Sequence, residues 1–186
     1  MKLQRTVVSR SIRRTALALG MLALLAASAV ASALPPIGRA CPSARISDAW
    51  ERTLDLGTLT GKPLLVVYED KDSATQNQAL KDELAKLAKG DVYRSRITLV
   101  AVADLTGYDY WPVRGFVKDA IQAESNKQGT SIFCDWDGSF RTTLALEQGM
   151  SNVVLYGKDG RVLAGFAGAM SPAQRQRLVA LLQAQL

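Results

Sequence analysis

Charged and polar side chains crowd into the stretch VVYEDKDSATQNQAL, residues 66–80, between an apolar run and a helical pattern. Within it, Ser73 and Gln76 stand three residues apart, which is the spacing of a capping box. In that motif the serine hydroxyl accepts a hydrogen bond from the glutamine amide, and the glutamine side chain bonds back to the serine amide. The spacing therefore predicts that Ser73 caps a helix. The chemical alternative, a serine nucleophile activated by Lys71, has no second base in this stretch.

Three carboxylates precede the predicted helix, from Glu69, Asp70 and Asp72. Acids at this position are favoured by the helix macrodipole, and they can also bind a cation. Their spacing does not match an EF-hand loop. We therefore predict no metal and no cofactor, and we assign Asp70 and Asp72, with Ser73 and Gln76, to a candidate binding surface.

A second group of binding candidates consists of Asp104, at the end of an apolar strand pattern, and of Tyr108, Tyr110 and Trp111 in the loop just beyond it. Open α/β sheets bind their ligands outside the carboxyl ends of the strands. Exposed aromatic side chains in this loop would therefore indicate a binding site. The alternative is that the rings fold down over the core, and the sequence leaves both open.

The chain contains no histidine, which removes the commonest general base and the commonest transition-metal ligand. Its two cysteines, Cys41 and Cys134, are too far apart in the chain to form a Cys-x-x-Cys pair. In an oxidising compartment they can form a disulfide or a redox pair, whereas a lone buried cysteine is usually a small apolar side chain. The sequence leaves these alternatives open.

The first 33 residues have the three zones of a secretory signal peptide: a basic start, an apolar run and the small residues Ala31-Ser32-Ala33. Cleavage after Ala33 would give a periplasmic chain that begins at Leu34. The removed segment carries five basic and no acidic side chains, so the mature chain has 153 residues and a net charge of +1. This charge gives no reason to expect nucleic-acid binding, and no later segment has membrane-spanning length.

Apolar runs and turn residues predict alternating strands and helices along the mature chain. Residues 61–69 and 96–105 have the pattern of buried strands, with a helix over residues 74–89 between them. A second helix follows Pro112, and its predicted apolar face consists of Val113, Phe116, Val117, Ala120 and Ile121. A short strand within residues 130–138, a hairpin that turns at residues 158–160 and a terminal helix capped by Ser171 complete the order. Residues 139–150 have no clear pattern.

This order, a βαβ half followed by a ββα half, is the plan of the thioredoxin fold. The stretch DLGTLTGKPLLVVYED resembles the first core strand of periplasmic thioredoxin-like proteins. The stretches SATQNQALKDEL, ESNK and SNVVLYGKDGRVLAGFAGAMSPAQRQRLVALL resemble the YtfJ family of periplasmic thioredoxin-fold proteins more closely. The resemblance covers residues 55–186 and implies an α/β domain with a central mixed sheet, flanking helices and an inserted helix and strand. Residues 1–33 are then the signal peptide and residues 34–54 an N-terminal segment.

The resemblance also implies that this chain lacks the Cys-x-x-Cys and the cis-proline of redox-active members of the fold. Redox-active members of the fold carry Cys-x-x-Cys where the first core strand enters its helix, and residues 73–76 occupy that place here. Ser151 stands where those members carry a cis-proline. Because related folds pair an extended peptide with the backbone at this point, Ser151 and Asn152 become candidates for strand addition.

We therefore expect an exported, non-catalytic thioredoxin-fold protein that binds a protein or peptide in the cell envelope. The YtfJ family has no established catalytic activity, which agrees with this expectation. The competing hypothesis is a thiol oxidoreductase or peroxidase that works through Cys134, with Cys41 as the resolving thiol. Parallel strands should bring residues 70–73, residues 104–111 and Ser151 to one edge of the sheet. The sequence predicts no oligomeric state.

Overall fold

The structure is a computed structural model that describes residues 34–89 and 95–186, so the predicted signal peptide lies outside the described residues. In these residues seven strands form one mixed sheet: β1 (Arg45–Asp48), β2 (Thr53–Asp55), β3 (Leu64–Glu69), β4 (Thr98–Asp104), β5 (Ile132–Asp135), β6 (Asn152–Tyr156) and β7 (Val162–Ala167). Their spatial order is β2-β1-β5-β4-β3-β6-β7. The helices are α1 (Gln78–Leu87), α2 (Val113–Gln128), α3 (Ser139–Leu144) and α4 (Pro172–Gln183), and a 3-10 turn spans Leu56–Thr58.

The predicted thioredoxin plan is confirmed. β3, α1 and β4 form the βαβ half, and β6, β7 and α4 form the ββα half. β3 is parallel to β4 and antiparallel to β6, and β4 is parallel to β5. The predicted inserted helix and strand are α2 and β5. The strand β5 extends the sheet beyond β4.

Both faces of the sheet are covered, because successive side chains of a strand point to opposite faces. Val66 and Tyr68 of β3 point to a cluster that includes Phe140 and Leu144 of α3, and we call this side the α3 face. Alternate residues of β3 pack against α1 and α4 on the opposite face, through Leu80, Leu178 and Leu182. Further along that opposite face, α2 covers a smaller cluster that contains Cys134.

Residues 34–54, expected as a separate N-terminal segment, contribute to the same sheet. β1 lies in this segment and pairs antiparallel with β5. The chain before β1 pairs with the edge strand β7, since the Gly38 amide donates to the Val162 carbonyl at 2.8 Å and the Val162 amide donates to the Arg39 carbonyl at 2.9 Å. The sheet therefore extends beyond the predicted boundary at residue 55, and its β7 edge is partly covered.

Local signals predicted the C-terminal half well. The Gly157 amide donates to the Arg161 carbonyl at 2.8 Å, which closes the predicted hairpin. Ser171 and Gln174 form the predicted capping box at the start of α4. Residues 139–150, which had no clear pattern, form α3 and the loop that follows it. Among the described residues, no helix is both long enough and apolar enough to span a membrane.

Two predictions about the extent and faces of the helices are wrong. α1 begins at Gln78, because residues 71–77 form turns and not the first part of the helix. Two residues predicted on the buried face of α2 are exposed, Phe116 (71%) and Ala120, whereas Val117 and Ile121 of the same helix do pack against the core.

Candidate functional site

Three segments meet at the carboxyl edge of β3 and β4. The parallel register pairs Glu69 with Ala103, so the chain leaves both strands at the same edge. Ser151, just before β6, reaches the same place, because its hydroxyl donates to a Glu69 carboxylate oxygen at 2.8 Å. The structure thus brings together the segments that the sequence predicted to be neighbours.

The turn after β3 is closed by two reciprocal hydrogen bonds between Asp70 and Ser73. The Ser73 amide donates to Asp70 Oδ1 at 2.7 Å, and the Asp70 amide donates to Ser73 Oγ at 2.9 Å. The predicted capping box with Gln76 is wrong, because neither the Gln76 amide nor the Gln76 side chain bonds to the partner that the motif requires. The Gln76 amide donates instead to the Ser73 carbonyl at 2.9 Å. Ser73 is fully buried, whereas Asp70 is half-buried and Asp72 is exposed.

The side chains of Gln76 and Asn77 converge on Ser151. The Ser151 amide donates to Gln76 Oε1 at 3.1 Å, and Asn77 Nδ2 donates to Ser151 Oγ at 2.9 Å. The Ser151 hydroxyl in turn donates a hydrogen bond to a Glu69 carboxylate oxygen. Polar side chains joined by hydrogen bonds therefore occupy the positions that the resemblance assigns to the dithiol and cis-proline of redox-active members.

Asn77 is the residue of this network that sequence reasoning missed. It is buried, and besides Ser151 it bonds to the segment between β7 and α4: its Nδ2 donates to the Gly168 carbonyl at 2.9 Å, and its Oδ1 accepts from the Met170 amide at 2.8 Å. Asn77 stands three residues before the buried Leu80, on the same side of the helix pattern. A polar residue at a position where the helix pattern predicts burial was the one signal in the sequence for Asn77.

Glu69 receives a balancing charge from α1. Lys81 Nζ lies 2.9 Å from Glu69 Oε2, and it also donates to the Ala74 carbonyl. Both oxygens of the Glu69 carboxylate are therefore engaged, one by Lys81 and one by Ser151. Glu69 therefore links β3 to α1 through Lys81, and to the residue before β6 through Ser151.

The prediction of strand addition at Ser151 and Asn152 is wrong. Both residues are fully buried, and β6 lies between β3 and β7, so neither side of this strand is open. The Ser151 carbonyl accepts from the Gly168 amide at 2.9 Å. The Asn152 side chain accepts from the Glu147 amide at 2.9 Å and donates to the Glu147 carbonyl at 2.8 Å, which holds the preceding loop.

Asp104 is a buried anchor of the loop that follows β4. Its Oδ1 accepts from the Thr106 amide at 3.0 Å and from the Thr106 hydroxyl, and its Oδ2 lies 3.6 Å from Arg141 Nε. Asp104 therefore shapes the loop and is not available as a surface ligand. Its register partner on β5 is Asp135.

Asp135 is a second buried carboxylate that the sequence did not single out. It accepts hydrogen bonds from the Tyr68 hydroxyl at 3.0 Å and from the amides of Phe140 and Arg141 at the start of α3. Burial raises the pKa of Asp135, and the charge of Asp104 adds to this, although the three hydrogen bonds oppose it. Burial raises the pKa of Tyr68 as well.

The loop after β4 exposes large aromatic side chains. Trp111 is 91% exposed, Phe116 71% and Tyr110 57%, and we call these three residues the aromatic loop surface. Tyr108 is half-buried. The backbone is fixed by the Tyr108 amide, which donates to the Leu105 carbonyl at 3.0 Å, and by the Arg114 amide, which donates to the Tyr110 carbonyl at 2.9 Å. The alternative that all these rings fold over the core is therefore wrong for Tyr110 and Trp111.

The two cysteines are free thiols on opposite faces of the sheet. Cys41 is half-buried against the α3 face, whereas Cys134 is buried under α2. Burial raises the pKa of Cys134 to about 11, helped by the charge of Asp48. Burial also raises the pKa of Cys41. At neutral pH both side chains are protonated thiols, which are weak nucleophiles.

Similar folds occur among solved structures of thioredoxin-like proteins. A candidate protein disulfide isomerase from Bacteroides thetaiotaomicron superposes with a TM-score of 0.63 at 15% identity, over 81% of this chain and 90% of that one. A candidate DsbE-type thiol:disulfide interchange protein from Chlorobium tepidum gives 0.60 at 18% identity, over 81% and 97%. A secreted disulfide oxidoreductase of Mycobacterium tuberculosis, homologous to DsbE, gives 0.53 at 18% identity, over 76% and 96%.

These likenesses establish that the chain has a thioredoxin-like fold. No family model matches the chain, and no curated protein matches it. The narrower resemblance to the YtfJ family stays a prediction.

Proposed function

We propose that this chain is an exported, non-catalytic thioredoxin-fold protein that binds a polypeptide in the cell envelope. The observation that carries the proposal is the pairing of two features at one sheet edge: a filled dithiol position and an exposed aromatic loop. At the first of these, Asn77 donates a hydrogen bond to the Ser151 hydroxyl, which donates to the Glu69 carboxylate. Trp111, 91% exposed, has its aromatic surface available to a partner.

Large apolar side chains are seldom left this exposed without a reason, and tryptophan and tyrosine are enriched where proteins bind one another. Trp111, Tyr110 and Phe116 come from one loop and the first turns of α2, so a partner would meet them together. The loop backbone is anchored by Asp104 and by turn hydrogen bonds, so little ordering entropy is lost on binding. The predicted signal peptide and the YtfJ resemblance support an envelope location for this activity.

Site-specific photocrosslinking in the native envelope tests the proposal. A photoreactive amino acid at position 110 should form specific crosslinks to a protein, and Trp111→Ala in the same chain should weaken them. The matched control position is Gln176, an exposed residue of α4 outside the aromatic loop surface. Equal crosslinking from position 176, or no effect of Trp111→Ala, would contradict the proposed surface.

The competing hypothesis of a thiol oxidoreductase or peroxidase requires a reactive Cys134. Titration of free thiols in the mature protein, followed by assays of disulfide reduction and peroxide turnover, separates the two classes. We expect two free thiols and no turnover, because both thiols have raised pKa values. Turnover that is lost in Cys134→Ser would establish the enzyme class instead.

A further inference from the structure

A cleft of about 510 Å³ lies between α2 and the β1–β2 hairpin, and we call it the β1–α2 cleft. Cys134 and Trp136 of the β5 region line it, together with the hydroxyl-bearing residues Ser47, Thr53 and Ser139. β1 and β2 lie at the edge of the sheet, beyond β5. The cleft is therefore a polar concavity that belongs to the additional strands and not to the position of the missing dithiol.

Charged residues dominate the lining of the β1–α2 cleft. Three are basic: Arg45, Arg114 and Lys118. Five are acidic: Asp48, Glu51, Asp109, Asp135 and Asp137. Carboxylates therefore outnumber cationic groups, which favours a cationic occupant.

The three basic side chains are already paired. Arg114 forms an ion pair with Asp109, and Lys118 Nζ lies 2.6 Å from Glu51 Oε1. Arg45 pairs with Asp55 at 3.2 Å, a carboxylate outside the cleft lining. No cation of the lining is therefore left over for an anionic ligand.

The acidic side chains are not all balanced. Asp48 is held by Arg52 at 2.6 Å, and Asp135 is buried with Tyr68. Asp137 is exposed and accepts from the Ser139 amide at 2.9 Å, and no basic side chain within residues 34–89 and 95–186 forms an ion pair with it. The hydrogen bonds from Ser139 lower the pKa of Asp137, so its carboxylate is charged at neutral pH.

Part of the cleft lining comes from the same stretch of chain as the aromatic loop surface. Asp109 and Arg114 line the cleft, and they also flank Tyr110 and Trp111 in the chain. The Arg114 guanidinium stacks 4.5 Å from the centroid of the Trp136 ring, so the cleft already holds one guanidinium between an aromatic face and a carboxylate. Because these residues are close to Trp111 in the chain, a polypeptide on Trp111 would lie next to this part of the cleft lining.

We propose that the β1–α2 cleft accepts a lysine or arginine side chain of the polypeptide that docks on the aromatic loop surface, with Asp137 as the counter-ion. This inference rests on the proposed function, because the aromatic loop surface must hold the polypeptide for the basic side chain to reach the cleft. The partner is thus a segment in which an apolar residue stands close to a basic one. Part of the binding should weaken with salt, since the ion pair is near the surface.

The test uses two fluorescently labelled peptides of leucine, tyrosine, serine and glycine, one with two arginines and one with citrulline in their place. Citrulline has nearly the shape of arginine without its charge. Anisotropy titrations with the mature protein should give tighter binding of the arginine peptide. Asp137→Asn should weaken that peptide about threefold to fivefold and leave the citrulline peptide unchanged. Asparagine can still accept from the Ser139 amide, so the local fold is kept, which thermal unfolding checks.

Asp82→Asn is the matched control, because Asp82 is an exposed acid of α1 that does not line the cleft. Trp111→Ala should weaken both peptides. Equal binding of the two peptides, no binding of the arginine peptide, or an arginine preference that survives Asp137→Asn would overturn the cleft assignment. If Trp111→Ala still weakens both peptides in such a case, the proposed function stands. If both peptides bind and Trp111→Ala changes neither affinity, the proposed function fails.

Discussion

The Ser151 hydroxyl donates a hydrogen bond to the Glu69 carboxylate at 2.8 Å, across 82 residues of sequence. This bond joins the end of β3 to the start of β6 at the position where redox-active members of the fold work with thiols. Asn77 donates to the same hydroxyl, and Lys81 neutralises the same carboxylate. A network of hydrogen-bonded polar side chains therefore joins β3, α1 and β6 at this edge of the sheet.

Asn77→Ala should show how much this polar network contributes to the stability of the folded protein. The change leaves the Gly168 carbonyl and the Met170 amide without their partner in a buried place. We expect a loss of about 2–4 kcal/mol in the free energy of unfolding, measured by urea denaturation. Gln78→Ala, at the adjacent exposed position, should change it by less than about 0.5 kcal/mol. Equal stability of the two variants would show that the network contributes nothing.

The aromatic loop surface should be dispensable for folding. Trp111→Ala and Phe116→Ala remove exposed rings, so each should change the free energy of unfolding by less than about 0.5 kcal/mol. Phe140→Ala, which removes a buried ring of the α3 face, should cost about 3–5 kcal/mol. A destabilisation by Trp111→Ala close to that of Phe140→Ala would mean that the loop packs onto the domain in solution.

Cys134 should react slowly with iodoacetamide in the folded protein. With a pKa of about 11, only about one thiol in a thousand is ionised at pH 8, and the rate should rise with pH towards that value. Peptide mass analysis after timed quenching gives the rate for each cysteine. In urea both thiols should react at the ordinary rate, which serves as the internal control. Rapid alkylation of native Cys134 at pH 7 would refute the protonated thiol and revive the enzyme hypothesis.

Asp135 should make a pH-dependent contribution to stability that is opposite to that of most acids. Its pKa is raised by burial, so the folded protein holds the proton more tightly than the unfolded chain does. The neutral Asp135 side chain therefore stabilises the folded protein fully at pH values below the ordinary aspartate pKa. This stabilisation is lost as the pH rises through the raised pKa of the folded protein.

Asp135→Asn removes this titration. Its free energy of unfolding, minus that of the wild type, should therefore increase with pH across the same window. Urea denaturation at several pH values measures the difference, and Asp82→Asn, at an exposed acid, provides the control. A difference that falls with rising pH would show that the three hydrogen bonds to Asp135 outweigh its burial.

Local pattern alone determined much of this molecule. The apolar run of β3, the hairpin turn at residues 158–160 and the capping box of Ser171 and Gln174 all have signals within a few residues. Such signals predict element type because side-chain periodicity and turn chemistry are properties of short segments. The order of these elements, together with the resemblance to periplasmic thioredoxin-like proteins, then predicted the thioredoxin plan and the shared edge of the β3 and β4 loops.

Only the tertiary structure decided which polar groups meet and which rings stay exposed. Ser73 and Gln76 have capping-box spacing, yet Ser73 bonds to Asp70, and Gln76 bonds to Ser151, which lies 75 residues away. Phe116 has the spacing of a core residue, but it does not belong to the cluster under α2 and is 71% exposed. Burial and long-range hydrogen bonds depend on which elements lie opposite a residue in space, and local periodicity carries no information about that.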